Sequence, residues 1–166
     1  MIEIKRGTSQ DMLTLWNGRF ADFAERYCQK IDSGQQEIWM AKDTETGKWI
    51  GELHLLLLDD DQDLADGKDT AYLLAFRVDP AYQGRGIGKQ IMERVLERAA
   101  ECGITKLNVG VEETDTKVLH MYQKWGFDKK IKDSSFVYKE AGEVQVCPFG
   151  VWQKNVEKLH KTDARN

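Results

Sequence analysis

The stretch Phe76-Arg77-Val78-Asp79-Pro80-Ala81-Tyr82-Gln83-Gly84-Arg85-Gly86-Ile87-Gly88-Lys89 limits the possible folds more than any other part of the chain. It reads as the end of a strand, a glycine-dense loop and the first turn of a helix. Three glycines at alternate positions allow a tight turn and leave backbone N–H groups unobstructed by Cβ atoms. The helix that follows adds its own unpaired N–H groups and the positive end of its dipole, which attract phosphate. Arg85 and Lys89 place two cations beside that nest. A pyrophosphate cradle is expected between Arg85 and Lys89.

The flanking segments give the cradle a setting. Ala71 to Val78 is apolar and β-prone, which suits a central strand buried on both faces. After the loop, Ile87, Ile91, Met92, Val95, Leu96 and Ala99 share one helical face, and Gly103 stands where a C-terminal cap belongs. Leu107, Val109 and Val111 then alternate in a strand over 105–111. Strand, loop, helix and strand in that order make a βαβ unit with a parallel pair.

Upstream, Met1 to Lys5 reads as a short strand, and Thr8 with Asp11 as a capping box. Leu13, Trp16, Phe20, Phe23, Tyr27 and Ile31 recur at threes and fours, so one or two helices span roughly 9 to 32, with Asn17-Gly18 as the break. Core packing is the first reading of these aromatics; an acceptor pocket lined by one or two is the second. Glu37 to Lys42 and Lys48 to Leu58 form a hairpin about the turn at Asp43–Gly47. Downstream, Thr114 or Asp115 caps a short helix carrying Val118, Leu119, Tyr122 and Trp125, closed by Gly126. Phe127 to Lys132 begins a strand, 135–139 and 143–147 form a hairpin around Ala141-Gly142, and 149–159 supplies the last strand, followed by a polar, frayed tail from His160.

Composition removes several classes. A chain of 166 residues, 41% hydrophobic and 31% charged, is expected to form one soluble domain over 1–166. A net charge of −4 argues against a nucleic-acid binder with a broad basic surface. Neither a signal peptide nor a run near the ~20 apolar residues of a membrane span is evident. Three cysteines without CxxC spacing indicate neither a disulfide framework nor a zinc site, so a cytoplasmic protein without a metal is expected. Between Asp59 and Asp69 six Asp face one Lys. Leu64 and Thr70 stand where a calcium loop needs Gly and Glu. The tract reads first as a solvated hairpin tip, and second as an acidic lip that steers a cationic acceptor.

The loop is not a Walker A motif, because Gln83 and Gln90 replace its first glycine and its final Ser or Thr. Its glycine spacing is one residue short of a dinucleotide fingerprint. Gln83-Gly84-Arg85-Gly86-Ile87-Gly88 instead resembles the Q/R-x-x-G-x-G/A acyl-CoA loop of the GNAT superfamily of N-acetyltransferases. Met121-Tyr122-Gln123-Lys124-Trp125-Gly126-Phe127 is similar to that family's second signature, L-Y-x-K-x-G-F. Both motifs stand in register over roughly 70 to 130.

The resemblance implies an α/β fold with a mixed sheet of about six or seven strands, flanking helices and a central splayed parallel pair. It also implies acetyl-CoA (coenzyme A) as cosubstrate. The pantetheine arm would pair with backbone near Phe76, Arg77 and Val78. The pyrophosphate would rest on the loop Gln83, Gly84, Arg85, Gly86, Ile87, Gly88 and Lys89, and a backbone N–H near Phe76 would stabilise the oxyanion. Tyr122 would protonate the departing thiolate. The Glu that many members carry on the strand before the loop falls at Tyr72 and is absent, which leaves Glu52 and Glu112 as substitute bases. Asp115 replaces a frequent Asn and would touch the pantetheine or the acceptor. Asp79, His54 and His120 have no partners visible in the sequence and read as solvated or packed.

The expected function is acetyl transfer from acetyl-CoA to a primary amine by direct attack in a ternary complex, with a small-molecule acceptor that the acidic tract tilts toward a cation. Alternatives are a non-catalytic acyl-CoA sensor, a protein or peptide N-acetyltransferase and, more weakly, an ATP- or NAD-binding protein. The expected partners include no nucleic acid and no membrane, and a homodimer stays open.

Overall fold

The computed structural model of the protein describes residues 1–157. Seven strands form one sheet in the order β1-β2-β3-β4-β5-β7-β6. They are β1 (Ile2–Gly7), β2 (Gln36–Asp43), β3 (Lys48–Leu56), β4 (Thr70–Val78), β5 (Lys106–Glu112), β6 (Lys129–Glu140) and β7 (Glu143–Asn155). The helices are α1 (Ser9–Trp16), α2 (Ala21–Asp32), α3 (Ile87–Glu101) and α4 (Thr116–Lys124). β4 and β5 pair in parallel, and the other neighbours are antiparallel.

Alternation along β2 shows how the layers form. Trp39 and Ala41 face the cluster built on Ile91, Met92 and Val95 of α3, while Ile38 and Met40 face Met12 and Trp16 of α1. A strand with period-two side chains thus buries both faces, one under α3 and one under α1–α2. The capping box starts α1, with the Asp11 N–H donating to Thr8 Oγ1 at 3.1 Å and the Thr8 N–H to Asp11 Oδ2 at 2.9 Å. The helix stops at Asn17, which adopts left-handed φ of 50°, so two helices form where the break was expected. The α3 face is held to β2 by a bidentate pair, Arg98 to the buried Glu37, at 3.0 and 2.8 Å.

Two features differ from the sequence expectation. β4 is not buried on both faces along its length; from Leu74 onward it is only partly covered. An extra residue enters β4 between the pairs His54↔Leu74 and Glu52↔Arg77, and Ala75 takes φ of 55°. This bulge bends β4 away from β5, whose parallel pairing ends at Leu73↔Val109. The splayed pair is therefore real, and its opening begins at the bulge. Second, the hairpin arm 143–147 and the last strand belong to one strand, β7, inserted between β5 and β6. Pro148 is accommodated opposite Ser135 in the β6–β7 ladder. Leu159 and the tail from His160 lie outside the described residues.

Candidate active site

Two clefts meet at the opening between β4 and β5. The smaller, about 350 Å³, is lined by the loop glycines 84, 86 and 88, by Gln83 and by the end of β4. Gly84 and Gly86 have φ of 80° and 77°, a region costly for residues with a Cβ. No atom lies within 4 Å of a Cβ placed at either, so the glycines are required by backbone shape and not by crowding. Gly88 differs: its Cβ would stand 3.4 Å from the Phe76 ring, so α3 can approach β4 closely. Gly86 caps α3 without a side-chain acceptor, and the first intrahelical donor is Gln90 to Gly86. The N–H groups of Ile87, Gly88 and Lys89 are consequently free of helical partners, a donor set of the kind that can receive an anion. Arg85 packs over the Tyr82 ring at 5.1 Å, and Lys89 lies 3.8 Å from Glu93 on the exposed side. Gln83 bonds the Val78 carbonyl at 3.1 Å, which braces the loop against β4.

The larger cleft, about 720 Å³, lies between α2, the 59–69 loop, the ends of β4 and β5, and the β6–β7 hairpin. Phe76, Arg77, Val118 and Tyr122 line both clefts. Tyr122 is only 8% exposed, and burial pushes its phenol up to about 12, so it is a neutral hydroxyl at any ordinary pH. Tyr72, at the position where the family's strand Glu falls, also lines the larger cleft, and burial raises its pKa further.

The two substitute carboxylates are placed very differently. Glu112, at the end of β5, is exposed and lines the larger cleft. Glu52 is 1% exposed and does not line it. Its oxygens receive Trp16 Nε1 at 3.0 and 2.9 Å, His54 Nε2 at 2.6 Å and Arg77 Nη1 at 3.4 Å. Burial alone would raise its pKa, but the hydrogen bonds from His54 and Trp16 and the Arg77 charge hold it below the usual range. A carboxylate so well supplied with donors is a weak base. It instead anchors Arg77, its cross-strand partner on β4.

His54 is packed, as expected, yet it is not without partners. Gln36 Nε2 donates to Nδ1 at 2.8 Å, which puts the ring proton on Nε2 for the bond to Glu52. Burial depresses its pKa, so the ring stays neutral beside an ionised Glu52. Gln36, Trp16, Tyr27 and the Arg77 side chain were not singled out as polar site members from the sequence. The spacing Glu52-x-His54 on a strand was the available signal, because residues two apart share a face. Asp115 caps α4 by accepting from the Val118 N–H at 3.1 Å, and neither cleft includes it. Asp79 accepts from the Ala81 N–H, and His120 is exposed.

The acidic tract is neither a bare hairpin tip nor a free acidic lip. Leu64 and Ala65 are buried within it. Lys132 bonds Asp61 and Asp63 at 2.7 and 3.2 Å, while Asp59 lies 3.3 Å from Lys30 and 3.7 Å from Arg26. Asp66 turns inward to accept from the N–H groups of Lys68, Asp69 and Thr70. Among the described residues no group of side chains could hold a metal ion, and no helix is long and apolar enough to cross a membrane.

The same fold occurs in a GNAT family acetyltransferase from Elizabethkingia anophelis with acetyl-CoA bound, at a TM-score of 0.66 and 20% identity, covering 93% of this chain and 97% of that one. In sequence, the chain is 34% identical to the L-amino acid N-acyltransferase MnaT of Escherichia coli over 50 residues, 30% of this chain and 29% of the relative. It is 29% identical to a mycothiol acetyltransferase of Propionibacterium freudenreichii over 62 residues, 37% of this chain and 20% of the relative. The chain therefore matches under a third of the length of each of these two curated relatives. The family model for the Acetyltransferase (GNAT) family matches residues 8–127, from the α1 cap through the glycine loop to Phe127 at the end of the second signature. With more than half of the chain matched and the β4–β5 opening in place, the protein belongs to the GNAT acetyltransferase family.

Proposed function

We propose that the chain, acting as a single domain, transfers an acetyl group from acetyl-CoA to a primary amine by direct attack in a ternary complex. The observation that carries this reading is that the glycine-loop cleft and the larger cleft meet at Tyr122 and Phe76, where the sheet opens. The free N–H groups at the start of α3 would hold the diphosphate, and the unpaired edge of β4 at Phe76, Arg77 and Val78 would align the pantetheine arm. A backbone N–H near Phe76 would receive the developing oxyanion.

The amine arrives largely as ammonium and must first lose a proton. Glu112, the substitute carboxylate that lines the cleft, is the group we assign to accept it. The neutral nitrogen then bonds to the thioester carbon and the carbon–sulfur bond breaks. Tyr122 gives its proton to the leaving thiolate and regains one from the nitrogen, so the products are the amide, the free thiol and one proton. The transfer written this way requires no metal ion. The unpaired Cys28, Cys102 and Cys147 fit a reducing compartment such as the cytoplasm.

Thiol release from acetyl-CoA in the presence of an amine panel tests the proposal, with thermal shift by coenzyme A, ATP and NAD as a parallel measure of ligand choice. Turnover with selective stabilisation by coenzyme A supports it. Stabilisation by ATP or NAD alone would remove it. The absence of a strand Glu at Tyr72 and the saturation of Glu52 favour one second reading, an acyl-CoA sensor. Tight binding of acetyl-CoA without transfer to any amine would establish that reading.

A further inference from the structure

The charges lining the larger cleft are mostly spent on one another. Asp59 is shared by Arg26 and Lys30, and Asp61 is held by Lys132. Arg26 keeps spare donors on the α2 rim, 62% exposed and 3.7 Å from Asp59, whereas two charged side chains retain unused capacity at the β4–β5 end. Glu112 has no ion-pair partner among the described residues. Arg77 is the other. Its guanidinium carries five N–H donors in a fixed fork, and among the described residues it makes one protein hydrogen bond, the 3.4 Å contact with Glu52.

Arg77 is also held in place. It stacks 4.0 Å above the Phe20 ring, and the Glu52 that draws it is buried and already bonded to Trp16 and His54. Its side chain is nevertheless 43% exposed and reaches both clefts. An arginine fixed from behind with spare donors in front suits bidentate capture of a carboxylate. The rest of the cleft is aromatic. Phe136 and Phe149 pack with centroids 6.0 Å apart on the hairpin side, Tyr72 joins them from β4, and Phe23 and Tyr27 face them from α2.

We infer that the acceptor is an α-amino acid with a bulky apolar or aromatic side chain. Its carboxylate sits on Arg77, its amine lies at the β4–β5 opening near Glu112, and its side chain rests on the Phe136–Phe149 wall. The inference rests on the acetyl-transfer reading above and replaces the cationic acceptor that the acidic tract suggested, since Asp59 and Asp61, the two aspartates that line the cleft, already face Lys30, Arg26 and Lys132. Arg77 is thereby a specificity-determining residue that touches substrate.

The test compares kcat/KM for L-phenylalanine, L-phenylalaninamide, 2-phenylethylamine, glycine and spermidine with the full chain, alongside calorimetric acetyl-CoA binding. L-Phenylalanine should exceed its amide and 2-phenylethylamine by on the order of 100-fold, as expected when a charge-assisted pair is lost from a partly exposed site. Glycine should be poor, lacking the group that fills the wall. Arg77→Gln, whose amide can still donate to Glu52, should bring phenylalanine down to the level of its amide, a larger drop than any accompanying loss of acetyl-CoA affinity. Should that variant unfold, Arg77→Lys, which keeps the charge but loses the fork, should still narrow the acid-to-amide ratio. Equal turnover of the carboxylate-free amines, a preference for spermidine, or an unchanged ratio in both variants would overturn the acceptor assignment and leave acetyl transfer standing. Bound acetyl-CoA with no transfer to any amine would instead overturn the transfer reading, and this inference with it.

Discussion

Trp16 donates its indole N–H to both carboxylate oxygens of Glu52, at 3.0 and 2.9 Å, with neither residue more than 1% exposed. The bond fastens α1 to β3 directly behind Arg77. It turns a carboxylate that the sequence offered as a base into the fixed point of a buried network running from Gln36 through His54 and Glu52 to the cleft. Trp16→Phe keeps the ring and removes the donor. We expect a loss of about 1–3 kcal/mol in urea unfolding, as for a buried charge deprived of one hydrogen bond. A midpoint equal to wild type would show that the bond carries no weight.

The neutral state of His54 predicts acid sensitivity well above the carboxylate range. In the unfolded chain the ring titrates near 6.5, whereas burial lowers its pKa in the fold. The unfolded state therefore binds the extra proton first. Stability should be full above pH 6.5 and fall as the pH drops below it, by up to about 1.4 kcal/mol per pH unit for one proton. Below 4.5 the lowered pKa of Glu52 should extend the decline. In His54→Gln, the fall just below pH 6.5 should flatten; an identical pH profile would place the sensitivity elsewhere.

Gly86→Glu should abolish acetyl-CoA binding measured by calorimetry, because a carboxylate would face the diphosphate and the residue would be forced into left-handed φ. Lys89→Glu, on the exposed side of the same helix turn, should weaken affinity without touching the loop backbone. Wild-type affinity in a folded Gly86→Glu protein would contradict the cradle.

Tyr122→Phe should lower kcat by about 10²–10⁴-fold, the range for a lost general acid, with acetyl-CoA affinity nearly intact. With its pKa pushed up to about 12, Tyr122 stays protonated, so its loss should remove activity evenly across the neutral range. Undiminished turnover would take Tyr122 out of the mechanism.

Arg98→Ala should cost about 3 kcal/mol in unfolding free energy, since it leaves the buried Glu37 with only Trp39 and the longer Arg6 contact. A change within error would mean that Glu37 is adequately held by those two.

Much of this protein was legible along the chain because its signals are local. Left-handed glycines, the Thr8–Asp11 box, the period of α3 and the alternation in β5 each report on a few neighbouring residues. Those signals placed the glycine loop and, with Tyr122 four residues before Gly126, the helix α4. Ala75 gave no comparable sign, because a bulge in an apolar run need not carry glycine. The division of 143–159 into a hairpin arm and a separate last strand fails because β7 is continuous through Pro148, and only its pairing with both β5 and β6 shows that.

The sequence by itself determined the strand–glycine loop–helix unit and the order of elements around it, since backbone preferences and side-chain periods act over a few residues. Only the tertiary structure decided that Glu52 is buried and anchors Arg77, that Glu112 lines the cleft, and that Asp59, Asp61 and Asp63 are paired with cations. The Glu52–Arg77 and Asp61–Lys132 contacts join partners 25 and 71 residues apart, brought together by sheet register and loop packing. A residue's charge state and free donors follow from that company and not from its neighbours in sequence.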